Sequence, residues 1–167
     1  MKPKWWNKSR SYLIKKDKVI SKLIKSYKGH LTTRNNFFYS LTRSIISQQI
    51  SVAAADSVFS KFEKKCKNKI NPKTVQKLSI QDLKKCGLSK MKAIGIKSLA
   101  QKILDKSFNP KLIKKMTDEE AIIYLSNLRQ IGRWSAEMIL LFTYNRSNIW
   151  PVQDIGLLRA ISKNYKK

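Results

Sequence analysis

The sequence predicts an all-α bundle with short connections, and three observations carry that prediction. Apolar residues recur at helical spacing, helix starts are marked by capping residues, and strand-like alternation is nearly absent. Phe37, Leu41, Ile45 and Gln48 fall on one helical face, which puts Gln48 and Gln49 within a helix. Val58, Phe59 and Phe62 give a second apolar stripe, and Leu99 with Ile103 a third. Asn71-Pro72 and Asn109-Pro110 each set a cap residue before a first-turn proline, so each is expected to open a helix. Ser79 with Asp82, and Thr117 with Glu120, have the spacing of capping boxes. Gly87 follows Leu83-Lys-Lys-Cys86 where a glycine ends a helix. Residues 117–128 then read as one helix, 129–132 as a tight turn, and 133–144 as a second helix with Ala136, Ile139, Leu140 and Thr143 along one side. Asp154 opens the last apolar helical stretch, 155–161, just after Trp150-Pro151. No internal repeat or low-complexity linker divides the chain.

Composition narrows the function. The 167 residues, 42% hydrophobic and 10% aromatic, suffice for one globular domain spanning 1–167, with room for two helical lobes. A formal charge of +26, from 36 Lys+Arg against 10 Asp+Glu, points to a polyanionic partner, nucleic acid first. A lysine-biased composition with no binding role is the alternative, because the lysines are spread along the whole chain. The longest strongly apolar run, Met138-Ile-Leu-Leu-Phe142, falls far short of the roughly 20 residues a membrane helix needs. The N-terminal stretch lacks the apolar core of a secretory signal, so an intracellular, cytoplasmic protein is expected. Cys66 and Cys86 are too few for a four-thiolate metal site, and His30 is the only histidine; neither a metal nor a cofactor is expected.

Two short segments carry the chemistry. A tight turn before residue 133 leaves the first N–H groups of the following helix free, and such groups bind phosphate. Gly132 permits close backbone approach, Ser135 adds a hydroxyl and Arg133 a charge, although a plain αα-hairpin would look similar. Taken alone, Asp154 reads as a helix N-cap, a position that favours aspartate. Trp134 and Trp150 can line an electron-rich pocket or pack in the core. Gln48 and Gln49 can hydrogen-bond a base or tie two helices together.

Four segments in order, Phe37-Phe-Tyr-Ser-Leu-Thr-Arg-Ser-Ile-Ile-Ser-Gln-Gln-Ile-Ser51, Cys86-Gly-Leu-Ser-Lys-Met-Lys-Ala93, Leu128-Arg-Gln-Ile-Gly-Arg-Trp-Ser-Ala136 and Trp150-Pro-Val-Gln-Asp154, resemble the helix-hairpin-helix DNA glycosylase superfamily, in particular its 3-methyladenine glycosylase II branch. The resemblance implies a monomeric, monofunctional enzyme that cleaves the N-glycosidic bond of alkylated purines in duplex DNA. Asp154 would be the catalytic carboxylate, and Gln130, Gly132, Arg133 and Ser135 would grip the DNA backbone. Trp134, Met138, Trp150 and Gln48 would line the base pocket, and the loop with Leu88, Lys90 and Met91 would carry the wedge that fills the emptied stack. Bifunctional members of the superfamily place a Schiff-base lysine where Trp134 stands, and tryptophan cannot attack the sugar. The chain departs from the family pattern in two places. Gln130 replaces the first hairpin glycine, and only 13 residues follow Asp154, so the usual final helices are expected to be lacking. Two rivals stay open: a non-catalytic DNA-binding protein, and a glycosylase of the same superfamily for another damaged or mismatched base.

Overall fold

A computed structural model describes residues 2–32 and 36–165, and every regular element among them is helical. The chain begins with an antiparallel pair, α1 (Trp6–Lys16) and α2 (Lys18–Ser26), hinged at Asp17, whose carboxylate caps α2 by accepting from the Ile20 N–H at 2.8 Å. Then come α3 (Phe37–Ser47), α4 (Val52–Lys65), α5 (Pro72–Gln76), α6 (Ile80–Lys85) and the long α7 (Lys90–Leu104). A 3₁₀ turn (Leu112–Lys115) leads to α8 (Asp118–Ser126), α9 (Arg133–Phe142) and α10 (Ile155–Tyr165). No helix among the described residues is long and apolar enough to cross a membrane.

The caps read from sequence form as expected, because each depends only on residues a few positions apart. Asn71 accepts from the Thr74 N–H ahead of Pro72, and both capping boxes close reciprocally. Gly87 sits at φ 97°; its N–H bonds the Lys84 carbonyl and that of Leu88 the Leu83 carbonyl, a Schellman ending. Asn109-Pro110 departs from expectation. Asn109 accepts from the Lys111 N–H two residues on, and only the 3₁₀ turn follows, since the local side-chain bond replaces the longer helical one. Gln48 and Gln49 also depart: α3 ends at Ser47, Gln48 has an extended ψ of 132°, and Gln49 takes a φ of 57°.

Helix α7 packs against α3, α5 and α6, while α3 also meets α4 and α9, and α8 lies on α9. The buried cluster runs from Phe38 to Ile149 and includes Leu41, Ile45, Phe62, Ile96, Leu125 and Leu140. Cys66 and Cys86 are free thiols inside it, and burial pushes the Cys66 thiol up to about 11. Two lysines of α7 hold the carbonyl ends of neighbouring helices: Lys92 donates to Ile46 and Gln48, and Lys97 to Gln76 and Leu78.

Candidate active site

The hairpin between α8 and α9 is built around a residue in a strained conformation. Gln130 holds φ 67°, the left-handed region that a glycine enters freely and a side-chain residue does not. Its stem lies against Gly95 of α7, where a Cβ would come within 2.7 Å of the Gln130 Cγ, so Gly95 lets the turn approach. Gly132 differs. It is the N-cap of α9 at φ −94°, and a Cβ there would meet nothing within 4 Å. Folding alone therefore does not demand glycine at 132; its bareness keeps the start of α9 open to an approaching molecule. No side chain caps that helix start, in contrast with the serine caps of α4 and α7.

Gln48 fastens this turn to α3. Its Nε2 donates to the Gln130 carbonyl at 2.8 Å and to the Ser135 hydroxyl at 3.2 Å, so the reading that it ties two elements together describes what it does here. Two expectations change with it. Gln48 does not line the cavity beside Trp134, because its amide faces the hairpin. The Ser135 hydroxyl, expected to meet DNA, is buried against Gln48, which leaves Ser135 only its backbone N–H for that purpose. Lys92 donates to the Gln48 carbonyl and so holds the residue that reaches the turn, and burial lowers its pKa.

Arg133 is not a free charge. Both terminal nitrogens of its fork bond the two Glu119 oxygens, at 2.7 and 2.8 Å, and its Nε lies 3.2 Å from Glu137. Glu119 is held below the usual carboxylate range by these bonds.

Asp154 fulfils one of its two readings visibly. Its Oδ1 accepts from the Leu157 N–H at 2.7 Å and so caps α10. Its Oδ2 accepts from the Trp134 indole N–H at 2.8 Å, a bond across 20 residues that pins the carboxylate to the second residue of α9. The Leu157 bond, then the Trp134 bond, lower its pKa, and burial opposes them without reversing the direction. Asp154 is thus an ionised, half-exposed carboxylate at neutral pH, poorly basic but well placed to face developing positive charge.

A cavity of about 300 Å³ opens beside Trp134, between α3, α4 and α9, with Met138 and Phe142 on one wall and Ser44, Ser47 and Val52 on others. Ser40 and Thr143 also line it, and their hydroxyls have no hydrogen-bond partner among the described residues. A larger cavity, about 750 Å³, lies at the far end of α9 near Trp5, Phe37 and Arg146, and none of the predicted site residues lines it. Trp150 does not join Trp134. Ile149 and Pro151 point inward on either side of Trp150, which is left 63% exposed. In the expected wedge loop Leu88 is only 4% exposed, since the residue after a Schellman glycine packs back on the helix; Lys90 is exposed and Met91 is 47% exposed. Reading the sequence missed Glu119, Glu137 and Lys92. Glu137 had a signal, standing four residues after Arg133 on one helix, whereas the other two act across the fold.

Comparison with known proteins agrees with this architecture. Over residues 42–166 the sequence matches the family described as HhH-GPD superfamily base excision DNA repair protein. The alkylbase DNA glycosidase-like protein mag2 of Schizosaccharomyces pombe is 35% identical over 121 residues, 70% of this chain and 57% of the relative. DNA-3-methyladenine glycosylase 1 of the same yeast is 28% identical over 84% of this chain and 63% of its own. The chain thus spans only part of the length of these relatives. The solved structure of the S. pombe 3-methyladenine DNA glycosylase in complex with abasic DNA shares the fold, with a TM-score of 0.84 at 24% identity over 95% of this chain and 81% of that one. With its hairpin and the carboxylate loop inside the matched span, the chain belongs to the HhH-GPD superfamily of base excision DNA repair proteins.

Proposed function

We propose that the protein is a monofunctional DNA glycosylase, a monomer of one domain, that hydrolyses the N-glycosidic bond of alkylated purines in duplex DNA. The observation that carries this reading is the Asp154 carboxylate, held at 2.8 Å by the Trp134 indole beside a hairpin whose helix start is bare and uncapped. Cleavage passes through an oxocarbenium-like sugar, and a fixed carboxylate stabilises that charge. Because its two N–H partners make Asp154 a weak base, its charge contributes more than proton transfer. An alkylated purine already carries positive charge and leaves neutral, so no second carboxyl acid is required. The names of the relatives support this substrate class.

In this reading the backbone N–H groups that open α9 take a DNA phosphate, with Gly132 allowing close approach and Gln130 shaping the turn. The extruded base enters the cavity walled by Trp134 and Met138, where a cationic ring gains about 0.5–2 kcal/mol from the indole face. Met91, with Lys90 beside it, fills the emptied stack. Incubating the chain with methylated duplex DNA and quantifying released bases tests the proposal. Release of 3-methylpurines without strand nicking is the expected result. Borohydride trapping of an adduct through one particular lysine would instead make the protein a lyase, and duplex binding without base release would favour the non-catalytic rival.

A further inference from the structure

The stretch that holds the hairpin and the carboxylate differs in charge from the rest of the chain. Residues 117–154 contain no lysine; three arginines, Arg129, Arg133 and Arg146, stand among Asp118, Glu119, Glu120, Glu137 and Asp154, half of the chain's ten acidic residues. Two of those arginines are engaged internally. Arg146 bonds Asp118 and the Ile113 and Met116 carbonyls. Arg133, the first residue of the helix whose N–H groups would meet phosphate, is forked onto Glu119 and touches Glu137.

The two carboxylates are not equivalent. The Glu137 side chain is 7% exposed, so removing its cation would leave a buried charge unpaired. The Glu119 side chain is 57% exposed and lies in the first turn of α8, where water and the helix dipole stabilise its charge without Arg133. A phosphate offers the guanidinium fork the same two-oxygen geometry as Glu119. Arg133 can therefore keep its Nε on Glu137 while its terminal nitrogens exchange Glu119 for a phosphate.

We infer that Glu119 competes with the DNA backbone for Arg133, holding back the hairpin's own cation from undamaged duplex until a phosphate is seated at the start of α9. Non-specific attraction then rests on lysines elsewhere, and the hairpin adds its ionic grip only where the backbone is correctly placed. Glu119 is a positioning residue in this scheme, acting through Arg133. The inference rests on the DNA-binding reading above.

The test is a double-mutant cycle on the full chain, with affinity for a short undamaged duplex measured across a salt series for wild type, Glu119→Gln, Arg133→Gln, whose amide can still donate to the buried Glu137, and the double variant, each shown by its melting transition to be folded. With Arg133 present, Glu119→Gln is expected to tighten binding roughly five- to tenfold near 0.1 M salt and to steepen the log–log salt slope by about 0.9, one phosphate. In the Arg133→Gln background the same change should move affinity less than about twofold and leave the slope unaltered. Glu119→Ala must behave like Glu119→Gln. An absent tightening, or an equal one in both backgrounds as simple through-space repulsion would give, overturns the inference while leaving the glycosylase reading intact. A wild-type chain that binds no duplex at any salt concentration overturns both.

Discussion

The helices that supply the buried cluster and the helices that do not meet at the candidate site. Helices α3, α4, α7, α8 and α9 each contribute several buried residues, whereas α1, α2 and α10 contribute none. The hairpin belongs to the first group and is anchored by Ile131, Ala136, Ile139 and Leu140 in the core. Asp154 begins a helix of the second group, located by the buried Pro151, the Trp134 bond and, at the far end of α10, the Tyr165 hydroxyl donating to Asp17. The contrast teaches that the hairpin is set by packing, with Gln48 fastening its turn, and the Asp154 side by a few directed hydrogen bonds, which are easier to remove one at a time.

The largest expected effect tests the carboxylate directly. Asp154→Asn should retain duplex binding and lower base release by about two to three orders of magnitude, the scale of losing one electrostatic stabiliser of a transition state. Asparagine has one accepting oxygen where aspartate has two, so it can still cap α10 through the Leu157 N–H but gives up the Trp134 bond, and a stability loss of about 0.5–1.5 kcal/mol, one hydrogen bond, is expected. An Asn variant with full activity would reduce Asp154 to a cap and dissolve the functional half of the comparison.

Stability should follow the division between the two groups. Leu140→Ala, at a fully buried position of α9, should cost about 2–5 kcal/mol by denaturant unfolding. Leu158→Ala, on the half-exposed surface of α10, should stay within about 0.5 kcal/mol. Equal losses would mean that α10 is bound as firmly as the core helices.

Trp134→Phe sharpens the hydrogen-bonded side. It keeps an aromatic wall but removes the N–H that reaches Asp154. Since that bond lowers the Asp154 pKa, its loss raises it, and the acid limb of the activity profile should move to higher pH. On the proposed role activity needs the ionised form, so the variant should lose more than the wild type only as the pH falls below the ordinary carboxylate range, and both should keep a flat profile from mildly acidic pH to about pH 8. The linkage has the same sign: a carboxylate with a depressed folded pKa adds stability above its unfolded value and loses it as pH falls through the folded one, so the variant should also be less resistant to acid. An unmoved acid limb would show that the indole bond does not govern the carboxylate.

What the sequence made legible follows from range. Asn71, Ser79 with Asp82, Gly87 and Thr117 with Glu120 act on backbone within a few residues, and each forms as read. Asn109 has the same local pattern but closes an earlier bond, so that even short-range chemistry left two outcomes open. The hairpin and the Asp154 loop were legible as motifs because their residue types and spacing are constrained together. The partners that orient them were not. Gln48 reaches Gln130 across 82 residues, Trp134 reaches Asp154 across 20, and Arg133 reaches Glu119 across 14, and only packing brings those pairs together. Leu88 lies between these cases: its place after Gly87 signals an inward packing residue, and that local rule overrides the wedge role suggested by resemblance.

The smallest expected effect concerns the contact that lets the hairpin sit on α7. Gly95→Ala adds a methyl that would lie 2.7 Å from the Gln130 Cγ and 3.2 Å from its Cβ, the inflexible stem of that side chain. Alanine otherwise favours a helix interior over glycine by about 1 kcal/mol, so without a clash the change would stabilise α7. Gln130→Gly removes the obstructing stem and the left-handed strain together, leaving the Arg129 carbonyl at 3.5 Å, an ordinary contact. Gly95→Ala should therefore destabilise the wild-type chain slightly and be neutral or stabilising in the Gln130→Gly background, with a coupling of about 0.5–2 kcal/mol by denaturant unfolding. Because glycine at 130 also loosens the unfolded chain, Gln130→Gly alone should change stability by less than about 1 kcal/mol, which is why the coupling and not the single variant is the measurement to make. Strict additivity would mean that the turn does not rest on Gly95, and the packed half of the comparison would lose the contact that positions its hairpin.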